Sequence, residues 1–510
     1  LNGTPIGSGT WDGSTAHQLD LSFDQTLLAD GDNTVEVHAP ADTGIEAEIF
    51  YLEAIDLVYQ RSYRAVDDQL VVSAGGHTVV TLEGFTRDDI TVLEITEPGR
   101  PRRVVNTRIE SSGGGFSVSF APSSSQARYI ALPLDTAASA GIVVDQPSNL
   151  YEANNRGEYL VIAAAGLEAS GSDLAQYRAS QGLESQSVRL QDIYDEFNRG
   201  VVSPWAIRDF LRHATAVWQV PPRWVVLAGD SSFDFKDRLG FGGNLLPAPM
   251  ASTPEGLFPS DHRTVDLSGD DGVPEVAVGR LPVRTEGALA AYLAKLQAYE
   301  AATGAWRGRT VWVADAVDEG GEFIKDSESL IDLAPFDLDV DRVYVDLLGP
   351  AAARQQLLDD IDDGAALIHF LGHGNLMQMG DDAGLLLTSD VPSLTNAERQ
   401  PILTAMTCAL GRYDRIFFDT LSESLVLQDG GGVIALWAPT GFSFNAEAVQ
   451  LAEGFLPSFF EGSSAGSGPD TLGEAVAESL ANYLANAEEP RAFIPFVYTL
   501  LGDPVVRLQP

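Results

Sequence analysis

Near residue 150 the hydrophobic pattern of this 510-residue chain changes character, and that switch limits the available folds more than any other feature. Before it, short runs alternate apolar and polar residues, as in Asn33–His38, Ala47–Leu52 and Gly115–Phe120. Turn-forming clusters separate them, such as Ala29–Asn33, Ala74–Gly76 and Ser111–Gly115. Alternation with period two and frequent turns predicts half-buried antiparallel strands, so residues 1–150 read as an all-β, sandwich-like accessory region, as one domain or two small ones. After it, continuous apolar runs alternate with helix-like stretches, the pattern of a parallel sheet covered on both faces. The predicted buried strands are Tyr159–Ala165, Trp224–Ala228, Val276–Val278, Thr310–Ala314, Val343–Val345, Ala366–Leu371, Ile402–Thr407 and Val433–Trp437. Between them, helices are predicted over Ser203–Gln219, Glu286–Thr303, Ala351–Asp360 and Asp419–Gln428, with Ser203 and Asp419 as N-caps. Two α/β halves, 151–305 and 306–510, follow.

In such a sheet, sites form beyond the carboxyl ends of the strands. Asp315 follows Thr310–Ala314, Gly372-His373-Gly374 follows Ala366–Leu371, and Cys408 follows the run ending at Thr407. If those strands are neighbours, an acid, an imidazole and a thiol share one rim. A free thiol is only slightly ionised near neutrality, so a nucleophilic Cys needs an adjacent base, and backbone N–H donors must meet the oxyanion that forms. Glycines beside His373 let the main chain approach a substrate, which makes the N–H groups of Gly374 and Cys408 the candidate donors. A lone Cys is more often a small buried hydrophobe, whereas a His between two glycines is poorly placed for a purely structural role. His369, inside an apolar run, reads as a core histidine. The other histidines lack zinc-ligand spacing.

Charge narrows the partners. Acidic residues outnumber basic ones 73 to 31, for a net charge of −42, and only three lysines occur. That surface repels phosphate backbones and anionic lipid, so neither nucleic acid nor a membrane surface is expected as a partner. With one cysteine, no intramolecular disulfide forms. No apolar run is long enough for a transmembrane helix. The opening residues LNGTPIGSGT lack a basic–apolar signal pattern, so a mature or trimmed fragment without its targeting segment is expected.

The segments Gly372-His-Gly374 and Thr407-Cys-Ala-Leu-Gly-Arg-Tyr413 resemble the gingipain family of cysteine peptidases, whose fold is caspase-like. The resemblance extends through Asp261, Val276–Pro282, Tyr299-Glu300, Ser422–Leu427, Gly431–Leu436 and Leu501–Pro504, over residues from about 155 to 508. The β-rich region before it is similar to the accessory domains of the type IX secretion sortase relatives. The likeness implies a cysteine endopeptidase acting on protein or peptide substrates, with Cys408 as nucleophile and His373 as general base. Asp315 is the implied orienting acid, Asp318 the alternative. It further implies Asp326 beneath the primary pocket, hence a preference for Arg or Lys before the scissile bond, and Trp437 and Phe444 as pocket walls. It implies a secreted or cell-surface bacterial protein, no cofactor for the chemistry, and calcium as a structural ion, though no loop matches an EF-hand. A sortase-like transpeptidase of the same fold, or an adhesin or scaffold carrying an inactive peptidase module, are the alternative functions.

Overall fold

The computed structural model describes residues 1–11, 17–40, 52, 54–138, 145, 147–335, 338–381, 383–461 and 469–508. The chain forms two compact units, Leu1–Gln146 and Pro147–Pro510.

In the first unit seven strands build two antiparallel sheets: β1 (Leu70–Ser73), β2 (Val80–Phe85), β3 (Ile90–Glu94), β4 (Arg102–Arg103), β5 (Arg108–Ser112), β6 (Gly115–Phe120) and β7 (Arg128–Pro133). One sheet has the order β1-β7-β3-β4 and the other β2-β6-β5. Residues from both, including Leu70, Val80, Leu82, Val92, Val118, Phe120 and Tyr129, form one apolar core. This is a small sandwich, as the alternating runs predict. The β5–β6 turn shows why the Gly cluster matters: Gly113 and Gly114 both take positive φ, 58° and 89°, between the paired residues Ser112 and Gly115. A two-residue hairpin of this hand needs that conformation twice, and Gly supplies it without strain. The Asn33–His38 expectation fails: no strand forms, and Val35 and Val37 stay exposed. Alternation makes one face apolar but supplies neither a pairing edge nor a core to cover it. The Ala47–Leu52 run lies, but for Leu52, outside the described residues.

The second unit is organised by one ten-stranded sheet. Its strands in chain order are β8 (Tyr159–Ala163), β9 (Ser185–Arg189), β10 (Trp224–Ala228), then after the hairpin β11 (Met250–Thr253) and β12 (Gly256–Pro259), β13 (Ala277–Leu281), β14 (Arg309–Ala314), β15 (Asp339–Tyr344) and β16 (Leu367–Leu371). A small sheet of β17 (Gly374–Asn375), β18 (Gln378–Met379) and β19 (Leu386–Leu387) precedes β20 (Ile402–Met406), β21 (Ala435–Pro439) and β22 (Tyr498–Leu501). The order across the large sheet is β15-β14-β16-β20-β21-β22-β13-β10-β8-β9. Every pairing is parallel except β21–β22. Strands β8, β10, β16, β20 and β21 are buried along their whole length, which is why they read as unbroken apolar runs. This is the caspase-like architecture expected. The halves on either side of residue 305 share this sheet: β22 joins β21 of the later half to β13 of the earlier one.

Helices cover the sheet at Glu168–Ser180, Leu190–Asn198, Pro204–Val217, Glu286–Ala301, Phe323–Ile331, Pro350–Asp363, Leu421–Leu427, Asn445–Glu461 and Leu472–Asn486. Ser203 caps its helix as predicted, its side chain accepting from Trp205 N. Asp419 does not; the cap is Thr420, in a reciprocal box with Glu423, and Asp419 instead pairs with Arg284 at 2.7 Å. Among the described residues no helix is long and apolar enough to cross a membrane.

Candidate active site

Register places the rim. Ala314, Leu371 and Met406 lie side by side as the last paired residues of β14, β16 and β20. Neighbouring strands run about 5 Å apart, so the residues just beyond them, Asp315, His373 and Cys408, emerge along one edge.

Cys408 opens a turn held against β21. Ala409 N donates to Gly441 O at 2.8 Å and Gly411 N to Pro439 O at 2.8 Å. The turn costs strain, because Ala409 sits at φ 54°, a left-handed conformation that a residue with a Cβ adopts only when its surroundings impose it. The thiol is half-buried, and its hydrogen bond goes to Ser443 O at 3.3 Å. Burial pushes the thiol pKa up, the Ser443 carbonyl contact acts against this, and the Glu255 carboxylate adds to the rise. The sulfur is thus aimed at a carbonyl.

His373 is positioned through both its backbone and its ring. The ring Nε2 meets Asp318 Oδ2 at 2.9 Å, and the edge of the ring packs against Phe323 at 5.5 Å. Gly320 closes over the same edge: a Cβ there would fall 2.7 Å from His373 Cε1. Asp315, the expected ring partner, lies elsewhere. Its buried carboxylate accepts from His373 N at 3.3 Å and Asp381 N at 3.0 Å, so it pins the loop carrying the imidazole while Asp318 faces the ring itself. The reason is chain length: Asp315 directly follows β14 and its own N–H still bonds Leu371 O, leaving its short side chain beneath the loop, whereas Asp318 stands three residues further out.

The two proposed donors are available. Asn375 and Gln378 flank a two-residue turn, and Gly374 pairs with Met379; with Gly380 N bonded to His373 O, the Gly374–Met379 pair is a non-hydrogen-bonded one, so the Gly374 N–H points away from the hairpin. No side chain fits at Gly374, since a Cβ would fall 2.6 Å from Thr407 Oγ1. In the Cys408 turn the main-chain bonds come from the N–H groups of Ala409, Gly411 and Arg412, and among the described residues none involves the N–H of Cys408.

The substrate-binding expectations divide. Asp326 lies on the helix Phe323–Ile331 after β14, where its carboxylate accepts from Asn445 Nδ2 at 2.6 Å. Phe444, next in chain to Ser443, is partly buried under the Arg491 guanidinium, 4.1 Å from its centroid. Trp437 is not a pocket wall: it points into the core with no exposed surface, against Phe455 and Tyr498, because it pairs with Thr404, two residues short of the rim at Met406. His369 is the core histidine it reads as, its Nδ1 2.7 Å from Thr404 Oγ1 and its pKa pushed down to about 3 by burial.

Two features escaped the sequence reading. One is Ser443 O, whose role is main-chain and so leaves no side-chain signal. The other is the β11–β12 hairpin, whose Phe258 ring packs where a Cβ on Gly441 would sit, 2.8 Å away, placing its tip at Pro254-Glu255 beside the nucleophile turn. A turn signal for it stands in the sequence at Thr253-Pro-Glu-Gly256.

Comparison with known proteins bears on the fold and the family. The family model described as Peptidase family C25 matches residues 152–509. Among solved structures the chain is similar to the Arg specific cysteine proteinase gingipain R (RgpB), at TM-score 0.58 and 19% identity, covering 69% of this chain and 78% of that one. It is similar to RgpB of Porphyromonas gingivalis in a complex of pro- and mature domains (TM-score 0.57, 19% identity, 69% and 80% covered). A structure described only as a protease gives TM-score 0.55 at 16% identity, with 70% and 80% covered. No curated protein matches the chain. A sheet whose neighbouring strands end in a thiol and an imidazole, a turn strained at the residue after the thiol, and a family match across nearly the whole second unit lead to one statement: this chain belongs to peptidase family C25, the gingipain family of cysteine peptidases.

Proposed function

We propose that the chain is a cysteine endopeptidase that cleaves peptide bonds through an acyl-enzyme on Cys408. The observation that carries this is the parallel, in-register pairing of β16 and β20, from whose ends His373 and Cys408 emerge together. With Asp318 accepting from Nε2–H, the tautomer leaves the Nδ1 lone pair for the thiol proton. The thiol turns from Ser443 O as substrate enters and passes its proton to Nδ1, and sulfur bonds the carbonyl carbon. The oxyanion is met by the N–H groups of Gly374 and Cys408. As the C–N bond breaks, the imidazolium returns the proton to the leaving amine; water, activated by the same ring, then releases the acid and restores the thiol. No metal or cofactor takes part, and calcium as a support for the fold is a proposal of its own.

A preference for Arg or Lys before the scissile bond belongs to this reading, supported by Asp326 near the rim and by the acidic surface. So does a secreted or cell-surface setting in a bacterium, taken from the likeness to gingipains and checked by cell fractionation. The test is covalent labelling by a thiol-reactive peptide probe together with cleavage of a peptide library. Wild-type protein should take up one probe and cleave; Cys408→Ala should do neither, and His373→Ala should lose cleavage almost as completely, since the two act as a unit. Retained cleavage by Cys408→Ala would end the reading.

A further inference from the structure

The β11–β12 hairpin presents a carboxylate to the nucleophile with nothing to neutralise it. Its two-residue turn is rigid: Thr253 Oγ1 accepts from Glu255 N at 3.1 Å and donates to Gly256 O at 3.2 Å. The hairpin is fixed to the segment that holds Cys408. Thr440 Oγ1 donates to Pro259 O at 2.8 Å, Phe258 meets Phe442 at 6.0 Å, and Gly441, packed on Phe258, accepts from Ala409 N. At the tip, Glu255 Oε2 is shielded from solvent yet has no hydrogen-bond partner. Among the described residues no cation pairs with Glu255; the nearby Arg412, over Phe258 at 5.0 Å, is taken by Asp414 at 2.7 Å. A shielded, unpaired carboxylate oxygen is costly unless something arrives to meet it. Asp326 by contrast is already bonded to Asn445.

We propose that Glu255 is a specificity-determining residue, receiving a cationic side chain of the peptide substrate on the β10–β13 side of Cys408. This rests on the peptidase reading. A primary ammonium or guanidinium there gains a charge-assisted hydrogen bond to the partly exposed Glu255 carboxylate, and the −42 surface concentrates such substrates around the site.

The test has two arms, both on the full chain, where Cys408 is the sole thiol. In the first, rates of thiol modification are compared for a cationic reagent, aminoethyl methanethiosulfonate, and neutral methyl methanethiosulfonate. The cationic-to-neutral ratio should fall about tenfold in Glu255→Gln and further in Glu255→Lys, with the neutral rate little changed, which also reports an intact site. In the second, cleavage is profiled with peptides carrying Lys, Ala or Glu at each position around the scissile bond. Glu255→Gln should lower kcat/KM about 10- to 100-fold for Lys at one position and leave the Ala peptides unaffected. An unchanged reagent ratio overturns the proposal, whatever is cleaved. A lowered ratio with unchanged peptide selectivity also overturns it. A lowered ratio in proteins that cleave nothing would keep a cation site at Glu255 and sink the peptidase reading instead.

Discussion

Asp315 and Asp318 are three residues apart, yet they do different jobs, and substitution separates them. Asp318 touches the imidazole; Asp318→Asn should lower kcat about 10²-fold by loosening the tautomer, with the unfolding midpoint little altered. Asp315 is buried and accepts main-chain N–H groups of the His373 loop; Asp315→Asn turns an amide against those donors and should cost about 1–3 kcal/mol of stability, read by denaturant unfolding, along with activity. The sequence gives no basis for assigning the two roles, because each follows the same strand and the difference lies in how far the loop rises before it turns. Cys408 and His373 were legible because each immediately follows an apolar run, where only chemistry or chance puts a polar residue. Trp437 was misread since the face a strand residue presents depends on where pairing starts, a register set by tertiary contacts.

Among the elements, those buried on both faces were readable and those at the margin were not. Strand β9, Ser-Gln-Ser-Val-Arg, is an edge with one buried residue, so its sequence carries no apolar run; β22 is short and follows a four-residue helical turn, Ile494–Val497. The helix Leu421–Leu427 supports a sharper expectation. Its Leu421 N bonds Leu376 O in the His373 hairpin, and its capping Glu423 is buried, which with the neighbouring Asp230 raises its pKa from 4.5 to about 8. Between those values the folded state holds a proton that the unfolded state has released, so this group's contribution is complete below about pH 4.5 and lost as the pH rises to about 8. Glu423→Gln keeps an acceptor for the cap and should flatten that slope, making the variant more stable than wild type at pH 8 and nearer to it at pH 5, by urea midpoints at both.

For the whole molecule, β22 is the strand that closes the sheet between its two halves, and a buried charge cluster lies beside it. Asp503, just beyond β22, accepts from Tyr159 OH at 2.9 Å and Arg178 Nε at 3.0 Å, while Tyr292 OH accepts from its N–H at 2.8 Å. Asp503→Ala leaves buried Arg178 with Glu300, at 2.7 Å, as its remaining charged partner and strands the Tyr159 hydroxyl, so it should cost about 1–3 kcal/mol, seen in chemical denaturation. The fold class was visible from the periodicity change alone, but this closure was not, since it links residues more than 300 apart through side chains that look unremarkable in sequence. The net charge acts at this scale as well: kcat/KM for a cationic peptide should fall as salt rises from 20 to 300 mM and the Debye length shrinks from about 20 to about 6 Å, while a neutral peptide is little affected.

The placement of β22 also fixes when the enzyme can come into being. Nine strands of the sheet emerge from the ribosome before it, yet the gap between β21 and β13 stays open until residues 498–501 are free of the exit tunnel. A nascent chain therefore carries Cys408 and His373 for some time without the bridge that unites the two halves of the sheet.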